Sequence, residues 1–130
     1  MSLIGEALFT RTTGYAGLTA LIAARMYPVV APQDATVPFV VYQEISNERI
    51  SAMGVDTNIA RPRFQFTSYG SDYEEARTVA KQVQLSLQRF SGVVATVTID
   101  DIFIETDLDD YDPETRLFSV VQDFEVIHRE

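Results

Sequence analysis

The sequence contains no cysteine and only one histidine. The absence of thiols excludes disulfides, thiolate metal sites and cysteine nucleophiles, although it leaves the redox compartment open. The histidine, His128, lies near the end of the sequence in a stretch of alternating polarity, with no serine elbow or aspartate partner recognisable around it. We therefore expect His128 to be an exposed residue of an edge strand and not a catalytic base. The sequence also lacks glycine-rich phosphate-binding motifs and zinc signatures.

Basic residues are scarce as well. The chain has 10 lysines and arginines against 19 aspartates and glutamates, which gives a formal net charge of -9. This balance argues against binding of nucleic acids or anionic membranes through bulk electrostatics. No run of apolar residues approaches the roughly 18 that a membrane-spanning helix requires. The apolar segment 16–24 fits either a signal-peptide core or a short helix, and we favour the helix because Glu6 does not suit the basic start of a signal peptide.

The composition is typical of one folded domain. Of the 130 residues, 46% are hydrophobic and 22% are charged, so we treat residues 1–130 as a single domain with one core. The clearest local pattern lies at residues 61–69, where Phe64 and Phe66 alternate with polar neighbours. A period of two predicts a half-buried strand.

A long amphipathic helix is predicted directly after this strand. Gly70 ends the strand, and the spacing of Ser71 and Glu74 predicts a capping box at the start of the helix. Apolar residues then recur at steps of three and four, which predicts one buried stripe. The stripe consists of Tyr73, Ala76, Ala80, Val83, Leu87 and Phe90.

Shorter patterns complete the predicted fold. Two short helices, at residues 3–9 and 16–24, are separated by Gly14 and Gly17, and a type I turn at residues 112–115 joins the last two strands. The element order α-β-β-α-β-β predicts the α+β class, with a mainly antiparallel sheet of four to five strands under a long helix and short N-terminal helices. The further strands are predicted at residues 39–45, 93–99, 102–108 and 117–127, with a bulge at Asp100 and Asp101.

Residues 46–58 form a polar segment that is too long for an ordinary hairpin turn, and we expect a projecting loop or arm there. The segment nevertheless carries the apolar residues Ile50, Met53 and Val55. These side chains either fold back onto the domain or are reserved for a partner, and the sequence leaves both possibilities open.

Residues 107–114 contain five carboxylates, and they are the one local cluster whose side chains could bind a metal ion or take part in a reaction. A calcium loop counted from Asp107 would need glycine at its sixth position and glutamate at its twelfth, but the sequence has Asp112 and Phe118 there. A solvated acidic turn is the favoured interpretation.

Several segments together resemble the tail-completion family of tailed bacteriophages and prophages, which includes tail-to-head joining proteins and is akin to tail terminators. The resemblance covers nearly the full chain. It is carried by the segments RMYP (25–28), VPFVVY (37–42), RPRFQF (61–66), YEEAR (73–77) and DFEV (123–126).

This resemblance implies a structural virion protein and not an enzyme, with no catalytic residues and no cofactor. It implies a homo-oligomeric ring, expected to be a hexamer, between the tail tube protein and the head connector, adaptor or stopper protein. Such a protein would assemble in the host cytoplasm, and DNA would pass through the ring without specific binding. A non-enzymatic interaction module or a ligand- or calcium-binding module is the alternative. The expected interface residues are Arg49, Ile50, Met53, Arg63, Asp109, Asp110 and Tyr111.

Overall fold

The computed structural model describes residues 4–47, 49–52 and 55–129. These residues form three helices and eight strands. The helices are α1 (Ile4–Thr13), α2 (Ala16–Ile22) and α3 (Tyr73–Leu87). The strands are β1 (Met26–Pro28), β2 (Phe39–Ser46), β3 (Arg49–Ala52), β4 (Val55–Ala60), β5 (Arg63–Gly70), β6 (Gly92–Val94), β7 (Val97–Asp112) and β8 (Leu117–Arg129).

All eight strands belong to one sheet, in which β8 is central. Strands β5 and β4 pair with one edge of β8, and β7 pairs with the other edge. The α+β class is confirmed, but the prediction of four to five strands is wrong, and the parallel pair β1–β2 makes the sheet mixed. Three of the strands have only three or four residues, which is too short for alternating polarity to reveal them.

The strand predicted over residues 93–99 is instead a tight hairpin. Strands β6 and β7 pair around a two-residue turn at Ala95 and Thr96, whose φ angles are 48° and 69°. Turns of this kind favour glycine and asparagine, so alanine and threonine gave no turn signal in the sequence. The predicted bulge is confirmed, because the register of β7 against β8 shifts between Ile99 and Asp101.

The two N-terminal helices differ from their predicted bounds. Helix α1 continues to Thr13, and Gly17 lies inside α2 instead of separating the helices. Leu18 and Ile22 of α2 are buried against the sheet layer. Among the described residues, no helix has the length and apolar character needed to cross a membrane.

The helices pack on one face of the sheet and bury its aromatic residues. Phe64 and Phe66 of β5 are 2% and 0% exposed, which confirms the predicted inward face of that strand. Phe66 makes an edge contact with Phe124 of β8, with ring centroids 5.7 Å apart. The α3 residues facing this layer are Ala76, Val79, Ala80, Val83, Ser86 and Leu87.

The ends of the predicted helical stripe do not follow the prediction. Tyr73 is 50% exposed, and α3 ends at Leu87, so Phe90 lies beyond the helix. The predicted capping box is displaced by one residue. Asp72, and not Ser71, is the N-cap, and its side chain accepts a hydrogen bond of 2.7 Å from the Glu75 backbone N–H.

His128 is buried and does not lie on an edge strand, which contradicts the prediction. It is 5% exposed on β8 and is flanked by Ala60 of β4 and Ile99 of β7. An alternating pattern does not show how many neighbours a strand has. The position of His128 therefore depended on pairings that are distant in sequence.

Gly70 is expected to be the most sensitive glycine of the fold. A Cβ atom at this position would lie 2.6 Å from the Ala76 backbone nitrogen, because β5 ends directly against the first turn of α3. We expect Gly70→Ala to lower the free energy of unfolding by about 1–3 kcal/mol, measured by urea denaturation. Gly5→Ala is the control, since its nearest neighbour would be Phe64 at 3.9 Å and alanine favours the helix. Equal effects of the two substitutions would contradict this account.

Candidate subunit interface

Where it is described, the segment predicted as a projecting loop or arm forms two paired β-strands, which we call the arm (residues 49–52 and 55–60). Strands β3 and β4 pair with each other, with Arg49 opposite Ala60 and Ile50 opposite Ile59. The base of the arm pairs with the end of β8, where Ile59 lies opposite Arg129. The arm therefore continues the β2–β5 hairpin past the end of the central strand. Met53, the third interface residue predicted here, lies outside the described residues.

The acidic stretch, which we call the acidic tip (residues 107–114), lies at the opposite end of the sheet. Most of it belongs to β7, so the prediction of an acidic turn is correct only for its last residues. Arg77 of α3 forms ion pairs with Asp107 at 2.9 Å and with Asp109 at 2.7 Å. The Tyr73 hydroxyl donates to Asp109 at 3.2 Å. These contacts fasten one face of the acidic tip to the first half of α3.

Asp110 and Tyr111, the other predicted residues of the tip, are exposed. Asp110 accepts a hydrogen bond of 2.8 Å from the Tyr111 backbone N–H, and the Tyr111 ring lies 4.7 Å from the ring of Phe118. Within the described residues, no group of three or more histidine, aspartate or glutamate side chains is arranged to hold a metal ion. The tip therefore presents carboxylates and one half-exposed aromatic ring to its surroundings.

Arg63 lies on the face of the sheet that the helices leave uncovered, which we call the open face. There it forms an ion pair with Glu105, a residue placed at the second bulge of β7. Nearby, Arg61 forms an ion pair with Glu125 at 2.8 Å. The Gln65 side-chain amide donates a hydrogen bond of 3.2 Å to the Asp123 carboxylate. A row of charged and polar side chains therefore crosses three strands of the open face. The sequence analysis identified Arg63 but none of its partners.

Burial raises the pKa of Glu105, and a hydrogen bond with Glu125 adds to this increase. Arg63 acts in the opposite direction, while the negative charges of Glu125 and Asp123 raise the pKa further. Ionisation of Glu105 is therefore less favourable in the folded protein than in the unfolded chain, despite the ion pair with Arg63.

The open face ends in a groove that the sequence analysis missed. The groove has a volume of about 530 Å³. Stacked rings of Phe39 and Tyr69 form part of its wall, with centroids 4.8 Å apart. Burial raises the pKa of Tyr69, and the charges of Asp112 and Asp110 raise it further. Other residues lining the groove are Val29, Val30, Val41 and Leu117.

Val29 and Val30 form an exposed apolar rim of this groove. They are 67% and 74% exposed, and the φ angle of Val29 is 66°. A β-branched residue rarely adopts this left-handed conformation. Two adjacent valines directly after Pro28, at the start of a loop, are the one sequence signal that could have indicated the groove.

The predicted interface residues therefore do not form a single site. Arg49 and Ile50 belong to the arm at the Arg129 end of β8, whereas the acidic tip and the groove lie at its Leu117 end. Twelve residue steps along β8 correspond to roughly 40 Å between these ends. Arg63 lies between them on the open face. The molecule consequently has two separate surfaces at opposite ends of its sheet.

Replacing Glu105 with glutamine should stabilise the protein in a pH-dependent manner. Because the folded-state pKa is raised, ionisation of Glu105 destabilises the folded protein above that pKa and has no effect well below the ordinary value of about 4.3. The variant should therefore gain melting temperature over the wild type near neutral pH, and this gain should shrink on acidification. Arg63→Gln is the comparison, since loss of its positive charge should steepen the fall of wild-type stability with rising pH. A gain for Glu105→Gln that is independent of pH would contradict this account.

The fold of this protein recurs in a chain of known structure. A chain from a solved structure described as "Virion of native gene transfer agent (GTA) particle" superposes with a TM-score of 0.83. The two chains are 14% identical, and the match covers 99% of this chain and 98% of the other. At this identity the likeness shows a shared fold. No curated protein matches the sequence.

The model of a family described as "Tail completion protein gp17" matches residues 6–129. This is nearly the whole chain, and the family is one of structural proteins of phage tails. The resemblance noticed in the sequence is thereby confirmed. The protein belongs to the tail completion protein family and is a structural component of a phage-like virion.

Proposed function

We propose that this protein completes the tail tube as a homo-oligomeric ring, a hexamer, and joins the tube to the head connector. The observation that carries the proposal is the family match over residues 6–129. The protein would act by binding alone, as a single domain without catalysis or cofactor. Its neighbours would be further copies of itself, the tail tube protein, and the connector, adaptor or stopper protein of the head. It would assemble in the host cytoplasm and remain at the head–tail interface of the virion.

The two ends of the sheet support a ring. A head-to-tail contact uses two different surfaces on each subunit and generates a closed ring when the rotation between subunits closes. The arm and the groove are different surfaces at opposite ends of β8. By contrast, a contact that used the same surface twice would stop at a dimer.

The outer edge of β7 is poorly suited to pairing with a neighbouring subunit. Side-chain oxygens already occupy several of its outward backbone N–H groups, and the carboxylates of the acidic tip add like charge. Ring contacts are therefore expected through the arm and the faces of the sheet and not through continuation of the sheet at β7. The occupied groups are Ile102 N–H by Asp101, Ile104 N–H by Gln88, and Tyr111 N–H by Asp110.

The acidic tip would line the channel of the ring. Arg77 compensates part of its charge at Asp107 and Asp109, whereas within the described residues no ion pair involves Asp110 or Asp112. Carboxylates that face a channel repel the DNA phosphates, so DNA could move through it without adhering. A tip on the outside of an assembled ring would contradict this part of the proposal.

Assembly can be tested with purified protein and with tail tubes from particles that lack it. We expect light scattering to report a closed oligomer of about six subunits, or electron microscopy to show a ring added to one end of the tube. Failure to bind tail tubes and to form an oligomer would reject the proposed function. Glu114→Lys changes an exposed residue of the tip that does not line the groove, so it should leave the ring intact but increase binding of short double-stranded DNA, measured by fluorescence anisotropy at low salt. Unchanged DNA binding by this variant would reject the channel position of the tip.

A further inference from the structure

We propose that the arm of one copy docks into the groove of the next copy and forms the head-to-tail contact. This inference rests on the proposed ring and specifies its interface. The arm comprises residues 49–52 and 55–60, and the groove lies between the Val29–Val30 rim and the ends of β5 and β8. The occupant of the groove would therefore be a second copy of this chain.

The distance between the two surfaces prevents the arm from filling its own groove. The arm begins where Ile59 pairs with Arg129, and the groove is lined by Tyr69 and Leu117. These positions on β8 are roughly 40 Å apart, whereas the five steps from Ala60 to Val55 extend about 17 Å. A second copy can supply the arm, and each copy then offers an unused arm and an unused groove to the next.

The groove has an apolar rim that one copy leaves exposed. Val29 and Val30 expose about two thirds or more of their surface, and Val29 does so in a left-handed backbone conformation. Hydrogen bonds within the chain hold this conformation, because the Val29 N–H donates to the Tyr42 carbonyl at 2.8 Å and the Val30 N–H to the Pro28 carbonyl at 2.7 Å. The exposed apolar surface, however, gains nothing in an isolated chain, and it is accounted for if an apolar segment covers the rim.

The sequence of the arm matches the groove in polarity and charge. By sequence, its described residues include the apolar Ile50 and Val55 and the cation Arg49. The groove contributes an apolar wall, and Asp112 is among its lining residues. An arginine that approaches this carboxylate would gain a complementary charge, which favours this occupant over an acidic segment.

The arm also needs support from outside its own chain. It is two strands wide, and its pairing with the central sheet comprises two residue pairs at its base, Ile59 with Arg129 and Ala60 with His128. A two-stranded hairpin is only marginally stable in water, so a surface that packs against it would stabilise it. The groove of a neighbouring copy provides such a surface.

A complementation experiment tests this contact directly. Val30→Asp damages the groove and keeps the arm, whereas Ile50→Asp damages the arm and keeps the groove. Each variant alone should be a monomer of 14.6 kDa by light scattering, and an equimolar mixture should form a dimer of twice that mass and no larger species. Val93→Asp is the matched control, because Val93 is a similarly exposed valine (68%) on β6 and should leave the oligomer of the wild type unchanged. Melting curves check that all variants fold.

The results that would overturn the contact are distinct from those that would reject the ring. Wild-type oligomers that survive either substitution, or a mixture that stays monomeric, would overturn the arm–groove contact while the ring stands. A wild type that is monomeric at every concentration would also overturn it, and the proposed function would then depend on tail-tube binding alone. Variants that keep their oligomer but lose tail-tube binding would show that the groove receives the tube protein instead.

Replacing Val29 with asparagine distinguishes the effect of Val29 on the stability of the monomer from its effect on self-association. Asparagine tolerates the left-handed conformation and removes the exposed apolar side chain. In the monomeric Ile50→Asp background, Val29→Asn should therefore raise the melting temperature. In the otherwise wild-type protein it should weaken self-association by about tenfold or more, because one apolar side chain is lost from the contact. Unchanged association, or a loss of stability in the monomer, would contradict the role of Val29.

Discussion

The packing of α3 against β5 and β8 is the contact on which the rest of the structure depends. Phe66 and Phe124 meet beneath the helix, and Gly70 allows β5 to end directly against its first turn. A buried hydrogen bond from the Gln122 side chain to the Ala80 carbonyl adds a polar link between helix and sheet. Because α1 and α2 join the same layer, all three helices bury one face of the sheet and leave the other uncovered.

The uncovered face is consequently the part of the molecule that remains available for partners. Its middle is crossed by ion pairs such as Arg61 with Glu125, and one end forms an apolar groove. Exposed ion pairs contribute little to stability but discriminate strongly between partners, whereas apolar surface supplies affinity. The proposed ring uses both kinds of surface, with the arm at one end of each subunit meeting the groove at the end of another.

The acidic tip stabilises the fold through Arg77 and would also serve the proposed assembly. Alternate carboxylates of β7 point to α3, where Arg77 holds them, and the intervening ones remain free of ion pairs within the described residues. The same charges, together with side chains that occupy outward N–H groups, discourage other strands from pairing with this edge. The net negative charge of the protein therefore limits unspecific contacts with both DNA and other sheets.

Patterns in the sequence were enough to predict the α+β class, the β5–α3 unit, the β7–β8 hairpin and the family, because these depend on periodicity within one segment or on residues that recur as a set. The central place of β8, the burial of His128 and the contact of Glu105 with Arg63 emerged from the folded structure alone, since each depends on strands brought together from distant parts of the chain. The groove, too, could not be predicted from the sequence. Its walls come from four strands and the two segments at residues 29–37 and 115, and no local pattern encodes their proximity.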